Sequence, residues 1–276
     1  DYLYKCADLA LYEAKKEGSG HVQIFRPGML QRLQENKSFE DDLLQALAHD
    51  EFKVYYQPIA DTVTREIYGY EALVRWFHPV RGAVPPTVFI PVAEKIGLIN
   101  ALGEWVLKTA CAEAASWATP LKVSVNVSPI QLMNTSLTDT IIEVLHQTGL
   151  DPRRLDLEIT ESDVFNENTR SLEILSQLRE QGIQISIDDF GTGYSSLSRL
   201  SYFPFDKIKI DRSFVINIPE QKDDLDIVRL IISMGKSLHM RIVAEGVETE
   251  EQLASLQALG CDLVQGYLIG KPSPLR

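Results

Sequence analysis

Carboxylate and amide side chains recur at the ends of short apolar runs along this sequence. Together with one lysine, these polar residues are Glu71, Asn126, Glu158, Glu161, Asp188, Asp189, Lys209, Asp211, Glu245 and Gln265. Carboxylates crowded into one site repel one another strongly unless cations or protons neutralise them. Oxygen ligands without Cys or His are typical of hard ions such as Mg²⁺ or Mn²⁺. If the runs end at one place in the fold, the sequence therefore predicts a divalent-metal site.

Each of these residues also has an ordinary structural explanation. Glu71 could be a solvated residue on a strand face, and Asn126 could cap a turn. Asp188 could belong to a turn, and Lys209 could simply pair with Asp211 or Asp206. Taken together these explanations fit the pattern less well, because nearly every run ends in a metal-ligating or proton-handling group.

Eight short runs of β-like composition alternate with longer helical patterns from about Phe52 onward. The runs are Val54–Gln57, Ile67–Arg75, Leu121–Ser128, Leu155–Thr160, Gln184–Asp188, Lys207–Ile210, Arg241–Glu245 and Leu263–Gln265. This alternation predicts an α/β fold with crossover connections, a mostly parallel sheet and a closed barrel. The 276 residues suit one such barrel, which typically takes about 250. Barrel enzymes build their sites at the C-terminal strand ends, so the polar residues are expected to meet there.

The first part of the chain has a different pattern. Residues 1–17 predict a helix, and His21–Phe25 predicts a short strand. Pro27 and Gly28 mark a boundary, and so few residues cannot bury a core of their own. We therefore expect the segment 1–27 to be the tail of another domain and the barrel domain to occupy 28–276.

Charge and cysteine content exclude several functional classes. The net charge of −12 argues against DNA or RNA polymers as partners, because their binding depends on Lys and Arg neutralising phosphates. The dispersed Cys6, Cys111 and Cys261 give neither a zinc motif nor a disulfide framework. Reduced thiols are typical of cytoplasmic proteins, and no apolar run approaches the roughly 18 residues of a membrane helix. A cytoplasmic location is expected.

Seven motifs follow one another in order over roughly Phe39–Pro274. They are Glu71-Ala72-Leu73 with Arg75, Asn126, Ile159-Thr160-Glu161-Ser162, Asp188-Asp189-Phe190-Gly191-Thr192-Gly193, Lys209-Ile210-Asp211, Glu245-Gly246-Val247-Glu248 and Gln265-Gly266-Tyr267. Together they resemble the motifs of the EAL-domain family of cyclic di-GMP phosphodiesterases. The resemblance implies a modified (β/α)8 barrel of the triosephosphate-isomerase type, with its first strand antiparallel to the others.

The N-terminal segment carries a second resemblance. Ala7-Asp8-Leu9-Ala10-Leu11-Tyr12, followed by Ala14-Lys15, is similar to the final helix of a GGDEF diguanylate-cyclase domain, whose signature loop is absent from this sequence. Residues 1–27 would then be the C-terminal remnant of a GGDEF domain and its linker. The full-length protein would carry upstream GGDEF or sensor domains, and could be tethered to a membrane through them.

The family resemblance also implies roles for the polar residues. One ion, Mg²⁺ or Mn²⁺, would be bound by Glu71, Asn126, Glu158 and Asp188. A second ion, or the attacking water, would be held by Asp188, Asp189 and Glu245. Lys209 would hold that water or the phosphate. The dinucleotide would be contacted by Gln57, Leu73, Arg75 and Gln265.

Three further acidic residues would act around the loop that follows the fifth strand. Glu161 would anchor this loop, Asp189–Ser196, which couples the site to a dimer interface in the family, so a homodimer is expected. Asp211 and Glu248 would support the loop or the ligands from behind.

The implied reaction is the metal-dependent hydrolysis of cyclic di-GMP, a bacterial second messenger, to linear pGpG. Two alternatives remain open. A binding module would hold cyclic di-GMP as a receptor without turnover. An unrelated metal-dependent barrel acting on sugars or carboxylic acids would share the acidic strand ends, but it would leave the motifs Glu71–Arg75 and Asp188–Gly193 unexplained.

Overall fold

The computed structural model of this chain describes residues 2–16, 20–161, 169–191, 203 and 205–275. Helices and strands alternate over most of that length. In chain order the elements are α1 Tyr2–Lys16, α2 Pro27–Ala46, β1 Phe52–Asp61, β2 Ile67–His78, β3 Gly82–Val84, α3 Pro86–Lys95, α4 Ile99–Ser116, β4 Lys122–Asn126, α5 Pro129–Leu132, α6 Leu137–Thr148, β5 Leu155–Thr160, α7 Thr169–Glu180, β6 Gln184–Phe190, β7 Lys207–Ile210, α8 Arg212–Val215, α9 Lys222–Ser237, β8 Arg241–Ala244, α10 Glu250–Leu259 and β9 Leu263–Gln265.

Eight of the nine strands close into a barrel. The sheet order is β1-β9-β8-β7-β6-β5-β4-β2-β3, and an additional β1–β2 pairing closes the ring. Neighbours from β2 through β4 to β9 pair in parallel, whereas β1 pairs with β9 in the antiparallel sense. The expected α/β barrel with a reversed first strand is therefore confirmed.

All eight predicted runs lie on barrel strands. Leu155–Thr160, Lys207–Ile210 and Leu263–Gln265 match β5, β7 and β9 at both ends, and the other five differ by a few residues. The short β3, which pairs with the end of β2 as a hairpin, was missed. Three residues are too few to display the alternation by which a strand is recognised.

The two predictions for the N-terminal segment had different outcomes. The helix predicted over residues 1–17 is present as α1. The strand predicted for His21–Phe25 is wrong, because these residues adopt no regular structure. Val22 is 91% exposed and Ile24 is 78% exposed, so the alternating apolar face that would stabilise a strand is not buried against anything.

The chain divides into two compact units, Asp1–Phe52 with Trp76–Leu98, and Lys53–Arg75 with Ile99–Arg276. In the first unit, Trp76 packs edge-on against Phe39 and Phe89, with ring centroids 5.2 and 5.8 Å away. Its indole Nε1 donates a hydrogen bond of 2.9 Å to the Glu51 carboxylate. A buried aromatic with a satisfied polar atom is a favourable core residue.

The second unit contains the barrel interior, which is only partly apolar. Ile59, Val243 and Leu263 form a buried apolar cluster. On β5 and β7, by contrast, charged side chains alternate with apolar ones and are almost fully buried. Buried charges are rare unless they are paired, so these strands point to the functional part of the barrel. Within the described part of the chain, no helix has the length and apolar character needed to cross a bilayer.

Candidate active site

The predicted site residues lie on neighbouring parallel strands of the barrel, and three of them are within two residues of the C-terminal end of their strand. Glu71 is on β2, Glu158 on β5 and Asp188 on β6, while Asn126 is the last residue of β4. Strand pairing sets Asn126 beside Glu158. Because parallel strands in a barrel end at the same rim, these side chains converge there, as the strand-end rule predicts.

The Lys209 ammonium lies in the middle of this group. Its Nζ is 2.6 Å from Glu245 Oε1, 2.7 Å from Glu158 Oε2, 3.1 Å from Asp188 Oδ1 and 3.5 Å from Glu71 Oε2. The Lys209 side chain is 1% exposed. One buried positive charge thus faces four carboxyl groups, more than it could neutralise if all four were ionised.

Burial and mutual repulsion shift the acid–base properties of this cluster. Burial raises the pKa of Glu245 to about 8; the Lys209 ammonium lowers this pKa, and the nearby Asp188 and Glu71 raise it. Burial likewise raises the pKa of Glu158 well above its ordinary value. Burial also disfavours the charged form of Lys209, but its carboxylate neighbours prevail, and its pKa is raised well above the usual range.

Glu71 behaves differently because two amides hold it as a carboxylate. Asn126 Nδ2 donates to its Oε1 at 2.7 Å, and Gln265 Nε2 donates to its Oε2 at 2.6 Å. Burial alone would raise the pKa of Glu71, but Lys209 and these two hydrogen bonds bring it below its ordinary value. The Gln265 amide also donates to Gln57 Oε1 at 3.2 Å, which links Glu71 to a residue expected to contact substrate.

Two groups of carboxylates are close enough to share cations. One oxygen from each of Glu71, Glu158 and Asp188 lies within 4.8 Å of the others, and the same holds for Asp188, Asp189 and Glu245. Asp188 belongs to both groups. Oxygen donors at such spacing suit hard divalent ions. A bound cation would also offset the repulsion between the ionised carboxylates. The cluster could therefore bind metal.

A cavity of about 280 Å³ opens beside the cluster. Its lining includes all four residues expected to contact the dinucleotide. The full lining is Gln57, Glu71, Leu73, Arg75, Asp188, Lys209, Arg212, Glu245, Gly246, Glu248, Gln265, Gly266, Tyr267 and Pro272. Arg75 is half-buried, and its guanidinium lies 6.0 Å from the centre of the Tyr55 ring. Burial lowers the pKa of Arg75, so an anionic ligand in the cavity would compensate a partly desolvated cation.

Arg212 and Tyr267 are the cavity-lining residues with polar side chains that were not among the predicted site residues. Arg212 directly follows the Lys209-Ile210-Asp211 motif, and its Nη2 donates a hydrogen bond of 2.9 Å to Glu248 Oε1. Tyr267 completes the Gln265-Gly266-Tyr267 motif and is 52% exposed. The strand-end rule could have found both, because each lies within two residues of the end of a barrel strand.

The remaining predicted residues lie around the cluster. Glu161 is buried, and its carboxylate accepts a 2.8 Å hydrogen bond from the Gly191 backbone N–H. Residues 192–196 of the predicted loop lie outside the described residues.

Asp211 caps α8 by accepting a hydrogen bond of 3.0 Å from Ser213 N. Asp189 adopts a left-handed φ of 53°, and burial with nearby Asp188 raises its pKa to about 6.

Comparisons with known proteins agree on one family. The model of the EAL domain matches residues 40–272. The chain is 52% identical over 98% of its length to an uncharacterized signaling protein of Caulobacter vibrioides, of which it covers 33%. It is 43% identical to the cyclic di-GMP phosphodiesterase NbdA of Pseudomonas aeruginosa over 99% of this chain and 35% of that protein. The chain thus spans about a third of the length of these relatives.

A third relative has a solved structure. MucR of Pseudomonas aeruginosa, a bifunctional diguanylate cyclase/cyclic di-GMP phosphodiesterase, is 42% identical over 97% of this chain and 40% of that protein. The MucR phosphodiesterase in complex with c-di-GMP superimposes with a TM-score of 0.83 at 43% identity, covering 86% of this chain and 98% of that one.

Proposed function

The chain belongs to the EAL-domain family, and from that premise we propose that it hydrolyses cyclic di-GMP to linear pGpG. The observation that carries the proposal is the position of Lys209 among four carboxylates, in the wall of a cavity that Gln57, Leu73 and Arg75 also line. Relatives named as cyclic di-GMP phosphodiesterases and a structure in complex with c-di-GMP support the choice of substrate.

Two divalent ions, Mg²⁺ or Mn²⁺, complete the site in this proposal. The first is held by Glu71, Asn126, Glu158 and Asp188, and the second by Asp188, Asp189 and Glu245. The Asn126 amide nitrogen faces Glu71, which leaves its carbonyl oxygen available as a ligand. When bound, the ions lower the pKa of water and offset the charge of the phosphodiester.

Glu245 and Lys209 handle the reacting groups. Water attacks phosphorus, the bond from phosphorus to the 3′ oxygen breaks, and the product keeps a 5′ phosphate. Glu245 accepts the proton of the attacking water, because its carboxylate lines the cavity and lies beside Asp188 and Asp189, where the water would be held. Lys209, buried and cationic, holds the water or a phosphate oxygen and keeps Glu245 in place through their 2.6 Å contact. The 3′ oxygen takes a proton from solvent.

The cavity residues bind and orient the dinucleotide. Arg75 presents a planar fork of donors to a phosphate or a guanine edge. Gln57 and Gln265 offer amide groups, and Leu73 provides an apolar contact. Gln57 Nε2 donates to the Gly270 carbonyl at 3.3 Å, which restricts its rotation and prepares it for the ligand.

The proposal extends to the context of the domain. Residues 1–27 are the remnant of a GGDEF domain with its linker, and upstream GGDEF or sensor domains regulate the barrel in the cytoplasm. The bifunctional relative supports this arrangement. The domain acts as a homodimer, and Glu161, through its bond to Gly191, links the site to the interface.

Incubation with cyclic di-GMP tests the proposal directly. The purified chain is incubated with substrate and Mg²⁺ or Mn²⁺, and the products are separated by chromatography. Formation of pGpG that stops in excess chelator is expected. Tight binding by calorimetry without any product would assign a receptor role instead, and absence of both binding and product would refute the substrate.

A further inference from the structure

A second polar layer lies inside the barrel, one layer below the candidate site. It consists of four residues that are at most 2% exposed, namely Ser124, Asp156, Ser186 and Lys207. We call them the polar floor. Each precedes a site residue by two positions on the same strand: Asn126 on β4, Glu158 on β5, Asp188 on β6 and Lys209 on β7. Side chains two positions apart on a strand point to the same face, so each of these site residues stands above one member of the floor.

Asp156 is the centre of the polar floor. Ser124 Oγ donates to its carboxylate at 3.0 Å, and Ser186 Oγ donates to its two oxygens at 2.7 and 2.9 Å. The Lys207 ammonium forms an ion pair with the same carboxylate. One buried carboxylate therefore joins four neighbouring strands, β4 to β7, through its own hydrogen bonds.

The other side of the barrel is built differently at this level. Val243 and Leu263 precede Glu245 and Gln265 by two positions and pack with Ile59 in an apolar cluster. Stability alone does not explain a buried ion pair, because well-packed apolar residues of similar volume often give the fold an equal or higher stability. Among the described residues, the polar floor is confined to the four strands that carry Asn126, Glu158, Asp188 and Lys209.

We propose that the polar floor positions three of the four ligands of the first ion, Asn126, Glu158 and Asp188, together with Lys209. This inference rests on the proposed function of the residues above it. Apolar contacts are non-directional. The hydrogen bonds and the ion pair of Asp156, by contrast, fix the positions of β4 to β7 relative to one another along the barrel axis. The oxygens of Glu158 and Asp188 are thereby held at the mutual distance that a small divalent ion requires, since such sites tolerate misplacement of only about 0.5 Å. Asp156, Lys207 and the two serines are positioning residues, and none of them touches substrate.

The double variant Asp156→Leu/Lys207→Met tests this role. It replaces the ion pair by apolar side chains of similar volume, so the barrel is expected to fold, with a Tm lowered only by the two serine hydroxyls that lose their acceptor. Mn²⁺ affinity, titrated by calorimetry without substrate, should fall at least about tenfold, the lower end of the effect of removing supporting partners from a metal site. Leu263→Ala is the matched control, because it loosens the apolar side of the same layer and should leave Mn²⁺ affinity within about threefold.

A folded double variant that binds Mn²⁺ as tightly as the parent chain would overturn the inference. So would an equal loss of affinity in Leu263→Ala, which would show a general effect of loosening. If the double variant does not fold, Ser124→Ala/Ser186→Ala removes neutral hydroxyls alone; unchanged Mn²⁺ affinity there would also overturn it. Hydrolysis by the parent chain is measured separately. If Mn²⁺ affinity depends on the polar floor but the parent chain yields no pGpG, the proposed function is refuted and the role of the polar floor is not.

Discussion

Replacing Glu245 by glutamine separates catalysis from substrate binding in this site. The change keeps the size of the side chain and removes its charge and its ability to accept a proton. General-base catalysis is typically worth about 10²–10⁴-fold, so kcat should fall by at least that order, which corresponds to about 2.7–5.5 kcal/mol. Affinity for cyclic di-GMP should change little, because Gln57, Leu73 and Arg75 still line the cavity.

The same substitution should have the opposite effect on the stability of the chelated protein. Glu245 is one of four carboxylates that share the Lys209 ammonium, so its removal relieves repulsion. The pKa of Glu245 is raised from 4.5 to about 8 in the folded chain. The folded state therefore binds more protons than the unfolded state between these values, and the stability that this bound proton contributes is lost as pH rises from 4.5 to 8. The gain in Tm on replacing Glu245 should grow from about pH 4.5 to pH 8.

Three measurements decide the outcome. They are kcat and KM from chromatography of pGpG, ligand affinity from calorimetry, and Tm in chelator. Glu250→Gln is the control, because Glu250 is 58% exposed and pairs with Arg65 on the surface; its kcat should stay within about threefold. Near-normal turnover in a folded Glu245→Gln protein would remove Glu245 from the chemistry. A loss of binding that matches the loss of rate would reassign it to recognition.

Three further predictions concern the metal, the substrate and the backbone. Chelation should abolish hydrolysis, Mg²⁺ or Mn²⁺ should restore it, and Ca²⁺ should bind with little turnover because it is larger and acidifies water less; full activity in excess chelator contradicts the metal site. Arg75→Ala should raise KM with a smaller change in kcat, and a collapse of kcat at constant KM would place Arg75 in the chemical step. Gly246→Ala should lower stability by at least about 1 kcal/mol, because Gly246 has a φ of +71° and a Cβ there would lie 2.3 Å from Arg212 Cγ; an unchanged Tm would refute this strain.

Much of the fold was predictable because buried parallel strands and their covering helices have different sequence periods. The run Leu155–Thr160 coincides with β5, since its apolar positions have no helical spacing. The reversal of β1, Phe52–Asp61, was not predictable from composition, because the alternation of side chains along a strand carries no information on the direction of the strand in the sheet. Only the resemblance to a family supplied that feature, and the antiparallel pairing of β1 with β9 bears it out.

The convergence of the polar residues in the candidate site was predictable, but their mutual geometry was not. The rule that barrel strands end at one rim brought Glu71, Glu158 and Asp188 together. Neither composition nor spacing placed Lys209 in their centre, and Asp206 and Asp211 were the nearest candidate partners of Lys209 along the chain. In the structure Asp206 Oδ2 lies 3.4 Å from Arg179 Nε, and Asp211 caps α8. Inward-pointing side chains on a strand meet partners across the barrel, so proximity in sequence is a poor guide to such pairs.

The polar floor shows what the same period could have revealed. Four strands carry a polar residue, an apolar residue and a second polar residue in succession: Ser124-Val125-Asn126, Asp156-Leu157-Glu158, Ser186-Ile187-Asp188 and Lys207-Ile208-Lys209. With a side-chain period of two, both polar positions must face inward if either does. A slip of one residue in any of these strands would turn both layers outward and bring the intervening apolar residue into the site. The alternation that fixes the register of β4 to β7 therefore also fixes the composition of the site, and one pattern specifies both.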